Sequence, residues 1–113
     1  MVELFDTHAH FEGDENAIEA AVQRAAEEGV TRIMAVGGSP ELNETTKGFA
    51  YRAIGWDRDM AGKDTDPLDY TGVAAVGEIG LDYHYSPETA KAQMEHFALQ
   101  LETARAFGLP VVI

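Results

Sequence analysis

Cysteine is missing from this chain. Neither a disulfide framework nor a thiolate zinc site is therefore open to it, and any metal must be held by imidazole and carboxylate. Bases are scarce: 8 Lys and Arg stand against 20 Asp and Glu, a formal charge of −12. Such a surface repels a nucleic-acid backbone unless metal ions or a local basic patch offset it. The acids are spread along the chain rather than gathered in a tail, which reads as a halophilic surface in preference to one shaped for a cationic partner. No apolar run approaches the roughly 18 residues of a membrane span. The first twenty residues carry acids and no base, so a secretory signal is not expected and a cytoplasmic location, away from membrane, is. At 113 residues the chain suffices for one small domain with a real core.

What is there alternates strand and helix patterns. Residues 2–6 (Val-Glu-Leu-Phe-Asp) are β-prone. Gly13-Asp14 then opens a helical pattern with Ala17, Ile18, Ala21, Val22 and Ala25 on one face, stopped by Gly29. Residues 31–36 form a compact apolar run broken by Gly37-Gly38, a buried strand. Ser39-Pro40 supplies an N-cap with proline at the first helical position, for a weaker helix to about Phe49. Residues 51–54 predict a third strand ending at Gly55, and 56–72 a polar loop with one helical turn after Pro67. A fourth strand follows at 73–76. Ser86-Pro87-Glu88 is the strongest helix start in the chain, and it predicts a helix with Ala90, Met94, Phe97, Leu101 and Ala104 inward. His96 then falls on a polar, solvent-facing stripe with Gln93 and Gln100. Pro110 to Ile113 begins a fifth apolar strand. The alternation implies an α/β fold with a parallel sheet, laid out as a doubly wound sheet or a (β/α)8 barrel. In both, active groups gather at the C-terminal ends of the strands.

Polar residues sit at those ends. Asp6-Thr7-His8-Ala9-His10 closes the first apolar run, and on a strand Asp6, His8 and His10 share one face. Two imidazoles so spaced can grip one divalent ion while a carboxylate orients or supplements them. Burying three polar groups is costly without such a use. Glu78 follows the fourth strand between Gly77 and Gly80, glycines that permit unusual backbone or the close approach of another segment. On its own it reads as a solvated turn acid; held beside the histidines, it could bridge two metals or orient a water. His84 is a rim candidate for substrate contact. Trp56 and Tyr83 offer rings for stacking or packing.

Together Phe5-Asp6-Thr7-His8-Ala9-His10, residues 75–83 (Ala-Val-Gly-Glu-Ile-Gly-Leu-Asp-Tyr), Ser86-Pro87, Gln93, Phe97, Gln100-Leu101, Ala104 and residues 108–113 resemble the TatD family of metal-dependent deoxyribonucleases. The family lies within the amidohydrolase-like metallohydrolases. The resemblance implies a TIM-like barrel with a metal centre at its mouth, binding two divalent ions (Mg, Mn or Zn), with DNA as substrate. It makes His8 and His10 ligands of one metal and Glu78 the catalytic carboxylate bridging to a second. Asp6, Asp82 and His84 become supporting or substrate-contacting residues. Two departures stand out. The family's Gly-x-His-Pro-type segment after the third strand reads here as residues 54–60 (Ile-Gly-Trp-Asp-Arg-Asp-Met), without histidine. Length is the other, since a (β/α)8 barrel takes about 250 residues. The expectation is therefore an incomplete barrel domain over residues 1–113, about four βα units plus the start of strand five. Such a chain would lack later ligands and be inactive alone. It would leave two sheet edges unpaired, and so require the missing C-terminal half or self-associate. The alternatives are a non-catalytic binding or assembly module derived from the barrel, or another metallophosphoesterase.

Overall fold

A computed structural model describes residues 2–113. Four strands, β1 (Leu4–Ala9), β2 (Val30–Gly38), β3 (Tyr51–Trp56) and β4 (Ala75–Val76), form one sheet in the order β1-β2-β3-β4. Every pairing is parallel. Helices α1 (Glu15–Glu27) and α2 (Pro40–Thr45) cross from β1 to β2 and from β2 to β3, residues 57–74 join β3 to β4 without an α-helix, and α3 (Ala90–Phe107) follows β4, giving the α/β class that the alternation implies. Residues 110–113 run beside β4. Val111 bridges Val76 in parallel, the Val76 N–H donates to the Pro110 carbonyl, and the Val112 N–H donates to the Val76 carbonyl. Among the described residues, β1 pairs with β2 alone, so that edge carries no further strand.

Local chemistry sets the boundaries. The Asp14 side chain accepts from the Ala17 N–H at 2.9 Å and starts α1. Ser39 does the same for α2 through the Leu42 N–H, with Pro40 at the first position. That helix stops at Thr45, short of Phe49. Gly108, at φ +66°, closes α3 in the left-handed conformation that a side chain resists. The helical turn expected after Pro67 is not formed. One turn of 3-10 helix lies at Arg58–Met60 instead, nucleated by the Asp57 carboxylate, which accepts from the Asp59 N–H at 2.9 Å.

Val36, Ala53 and Ala75 form one buried cluster with Met34 and Val112. Val76, Ile79 and Ala104 form another with Tyr70, Phe97 and Leu109. Neighbours Ala75 and Val76 go to different clusters, as the two-residue period of a strand requires. On α1, Ile18, Ala21, Val22 and Ala25 are half-buried and Ala17 is exposed.

The inward face of α3 differs from the expected one. Gln93 and Gln100 are buried, at 1% and 4% exposure, with Phe97 and Ala104, whereas Met94 and Leu101 point outward at 49% and 38%. One helical step of about 100° separates the two stripes. The amides can be buried because each meets backbone groups. Gln100 accepts from the Trp56 N–H and donates to the Trp56 carbonyl, both at 2.8 Å. Gln93 accepts from the Asp82 N–H at 2.6 Å and donates to the Asp82 carbonyl at 3.0 Å and the Ser86 carbonyl at 2.8 Å. A satisfied amide escapes the penalty that makes buried polar groups rare. His96, expected to face solvent, is half-buried beside Trp56 and Leu68, and burial pushes its imidazolium pKa down.

Candidate metal centre

The C-terminal ends of β1 and β4 bring His8, His10 and Glu78 together. One ligand atom from each lies within 4.8 Å of the others. His8 Nε2 is 2.9 Å and His10 Nε2 3.2 Å from the same oxygen, Glu78 Oε1. The imidazole rings stand edge to face with centroids 5.0 Å apart. The side chains of His8 and His10 are 34% and 39% exposed and that of Glu78 18%, so the group faces outward from a half-buried floor.

The backbone holds these groups in place from several sides. Asp6 Oδ1 accepts from the His8 N–H at 3.0 Å. Asp6 therefore fixes the strand at His8 and stands outside the convergent group of three. The Glu78 N–H donates to the Gly37 carbonyl at 3.1 Å, and the Gly77 N–H to the Ile54 carbonyl at 2.9 Å. Gly77 is required by close approach. A Cβ there would sit 2.7 Å from Val112 Cβ and 2.8 Å from the Val112 carbonyl oxygen. Asn43, buried at 8% exposure, accepts from the Gly38 N–H at 3.1 Å and donates to the Gly55 carbonyl at 3.0 Å, tying the ends of β2 and β3.

His10 Nδ1 lies 2.8 Å from the Val36 carbonyl. That oxygen only accepts, so Nδ1 carries the proton and Nε2 of the neutral ring presents a lone pair. The lone pair then points at a carboxylate oxygen 3.2 Å away. A proton on Nε2 or a cation between the two atoms makes such a contact favourable. A tetrahedral ion with bonds of about 2.0–2.1 Å sets its ligand atoms roughly 3.4 Å apart, close to the spacing found here. The Nδ1 contact is also the outer bond that orients metal-binding imidazoles. The donor set fits a divalent ion.

Arg58, which the sequence reading did not single out, completes the surroundings. Its Nη1 donates to Glu78 Oε2 at 3.0 Å, and its Nε lies 3.9 Å from both Asp59 Oδ1 and Asp82 Oδ2. It is a solitary base flanked by Asp57 and Asp59, and in so acidic a chain that isolation was the available signal. Asp82 accepts at Oδ1 from the His84 and Tyr85 N–H groups at 3.1 and 3.0 Å, shaping the rim. His84 is exposed and stacks edge-on against Tyr85, apart from the ligand group. Trp56 is buried, at 8% exposure, and packs. Burial is the largest influence on Asp57 and raises its carboxyl pKa, against the lowering hydrogen bond from the Asp59 N–H. A polar cavity of about 270 Å³ adjoins the centre, lined by Arg58, Glu78, Asp82, Leu81 and Ile113. A larger apolar cleft, lined by Ile18, Val22, Ile33, Phe49 and Tyr51, shares no residue with the centre.

The chain is similar to known proteins over nearly its whole length. It is 34% identical to the uncharacterized metal-dependent hydrolase YabD of Bacillus subtilis, over 97% of this chain and 49% of that protein. It is 33% identical to the uncharacterized metal-dependent hydrolase YjjV of Escherichia coli K12, over 97% and 49%. Identity to the 3′-5′ ssDNA/RNA exonuclease TatD of Musicola paradisiaca is 30%, over 93% and 44%. The chain thus spans about half the length of the curated relatives it matches. Its parallel sheet is consistent with the N-terminal part of a TatD barrel. The profile of the family described as TatD related DNase matches residues 5–113, the stretch that runs from the start of the histidine strand through Glu78 to Ile113, and on that match the chain belongs to the TatD family.

Proposed function

We propose that this chain forms the first half of a metal-dependent phosphodiesterase centre acting on DNA, with His8, His10 and Glu78 as its metal ligands. The observation that carries the reading is the meeting of two imidazole Nε2 atoms on one carboxylate oxygen, with one imidazole oriented from behind by a main-chain carbonyl. A bound divalent ion supplies charge to a phosphate oxygen and acidifies a coordinated water. The chain's own residues do the remainder. Val36 and Asp6 orient the histidine strand. Glu78 sets carboxylate charge between the imidazoles, and the cavity beside Arg58 and Asp82 gives a phosphate a polar wall. The names of the TatD relatives favour single-stranded nucleic acid. A backbone approaching a chain of charge −12 needs such local cations, since phosphate contact is mainly electrostatic.

Three ligands hold an ion less firmly than the fuller set of a complete hydrolase site. On this reading the 113-residue chain takes up metal but leaves DNA intact. Cleavage appears when the remaining barrel strands are supplied, and inward folding from those strands is what the open sheet edge serves. The test has two readouts. Mn2+ or Zn2+ uptake by the chain should fall at least tenfold in H8A. A labelled single-stranded oligonucleotide should be degraded only when the chain is combined with a C-terminal barrel half from a family relative. Metal uptake unaffected by H8A would overturn the assignment, as would cleavage that persists in H8A.

A further inference from the structure

We infer that Arg58 is a resident cation standing where a two-metal hydrolase would hold its second ion, so that Glu78 ligates one metal rather than bridging two. This rests on the metal-centre reading above. The two oxygens of Glu78 are divided: Oε1 faces both imidazoles at 2.9 and 3.2 Å, and Oε2 is taken by Arg58 Nη1 at 3.0 Å. The guanidinium sits where three carboxylates meet, with its Nε 3.9 Å from Asp59 and from Asp82. The guanidinium offsets the mutual repulsion of these carboxylates, and paired metals in hydrolases lie about 3.5–4 Å apart, bridged by such a carboxylate. Here the cation is covalently attached and always charged, since guanidinium does not lose its proton in proteins.

Two features show that the guanidinium is held in place rather than resting on a surface. Nε is buried and, among the described residues, makes no hydrogen bond. Its position is thus set by charge and by the chain on either side. The backbone on both sides is anchored: Asp57 N–H donates to the Gly38 carbonyl at 2.8 Å, and Trp56 is gripped at both its N–H and its carbonyl by Gln100. Arg58 begins the 3-10 turn that Asp57 nucleates, so its side chain leaves the end of β3 toward Glu78. The segment where the sequence departs from the family's histidine-bearing pattern is therefore the one that delivers the substitute charge. Arg58 is a positioning residue for Glu78: it fixes which oxygen meets the metal and repels a second dication from the other.

Metal stoichiometry tests this without any activity measurement. Mn2+ is titrated into the chain, with bound metal counted after equilibrium dialysis and its electron paramagnetic resonance recorded. The wild-type chain is expected to saturate with one ion showing the six-line signal of an isolated Mn2+. R58A, which opens the carboxylate cluster, is expected to bind two ions with an exchange-broadened signal. R58Q, which keeps a hydrogen-bond donor to Glu78 without the charge, serves the same purpose if R58A does not fold. R58K, which keeps the charge, should stay at one ion. Two ions in the wild-type chain, or one ion in R58A and R58Q, would overturn the role given to Arg58 and leave the three-ligand centre standing. Absence of uptake by wild type and variants alike would remove the centre itself, and this inference with it.

Discussion

Gln100 offers a perturbation whose size follows from its contacts. Its amide closes a two-bond clamp on Trp56, both distances 2.8 Å, at 4% exposure. Q100M keeps the side chain's length and apolar stem but removes both polar atoms, so the Trp56 N–H and carbonyl are left buried without partners. Each orphaned group costs about 1–3 kcal/mol, and a volume-conserving swap adds less than about 1.5 kcal/mol. The expected loss is roughly 3 kcal/mol, a large share of the 5–15 kcal/mol typical of a domain. Urea unfolding reads it directly, because Trp56 is the single tryptophan and its fluorescence reports on the clamped site. With an m-value near 2 kcal/mol/M the midpoint falls by about 1.5 M. Q100E separates charge from hydrogen bonding. Its neutral acid can replace both bonds, whereas its carboxylate would face the Trp56 carbonyl. The folded pKa of that acid is thereby raised above the unfolded value of about 4.3. Its stability is therefore near wild type below that pH and is lost as pH rises through the folded pKa. A Q100M midpoint within about 0.3 M of wild type, or a Q100E deficit that does not grow with pH, would refute the clamp.

Two further outcomes follow from the geometry. G77A forces a methyl into Val112, whose Cβ and carbonyl oxygen would lie 2.7 and 2.8 Å away. The expected cost is about 1–3 kcal/mol, with faster amide exchange at Val112 than in wild type; unchanged exchange there would contradict the packing. His96 is held below its ordinary pKa by burial, so the fold favours its neutral form. It follows that the stability is intact above about pH 6.5 and declines as pH falls through the folded pKa. Thermal unfolding of H96N should lose less between pH 7 and pH 5 than wild type does; parallel losses would count against the assignment.

Much of this could be read before any coordinates. Gly13-Asp14, Ser39-Pro40 and Gly108 announce helix ends through local chemistry, and local chemistry is what short sequence windows contain. His8 and His10 were legible as a pair because strand parity alone puts them on one face. Glu78 was not legible on its own: its place beside them depends on β2 and β3 lying between, a matter of sheet order that family likeness supplied. Arg58 stands out locally only as an isolated base, and its meaning lies in a contact twenty residues away. Gln93 and Gln100 are buried against expectation for a more general reason. Periodicity assigns amides outward on polarity, yet 93, 97, 100 and 104 keep the three-four spacing of an inward stripe. No helical turn forms after Pro67, whereas Asp57 caps one at Arg58–Met60.

The central claim is that imidazoles from the first strand and a carboxylate following the fourth meet on a common cation. Crystals of the chain grown with Zn2+ and measured at the zinc absorption edge test it most directly. The expected result is an anomalous peak about 2.0–2.2 Å from His8 Nε2, His10 Nε2 and a single oxygen of Glu78. A peak bound elsewhere, or one that leaves Glu78 outside coordination distance, would contradict the account.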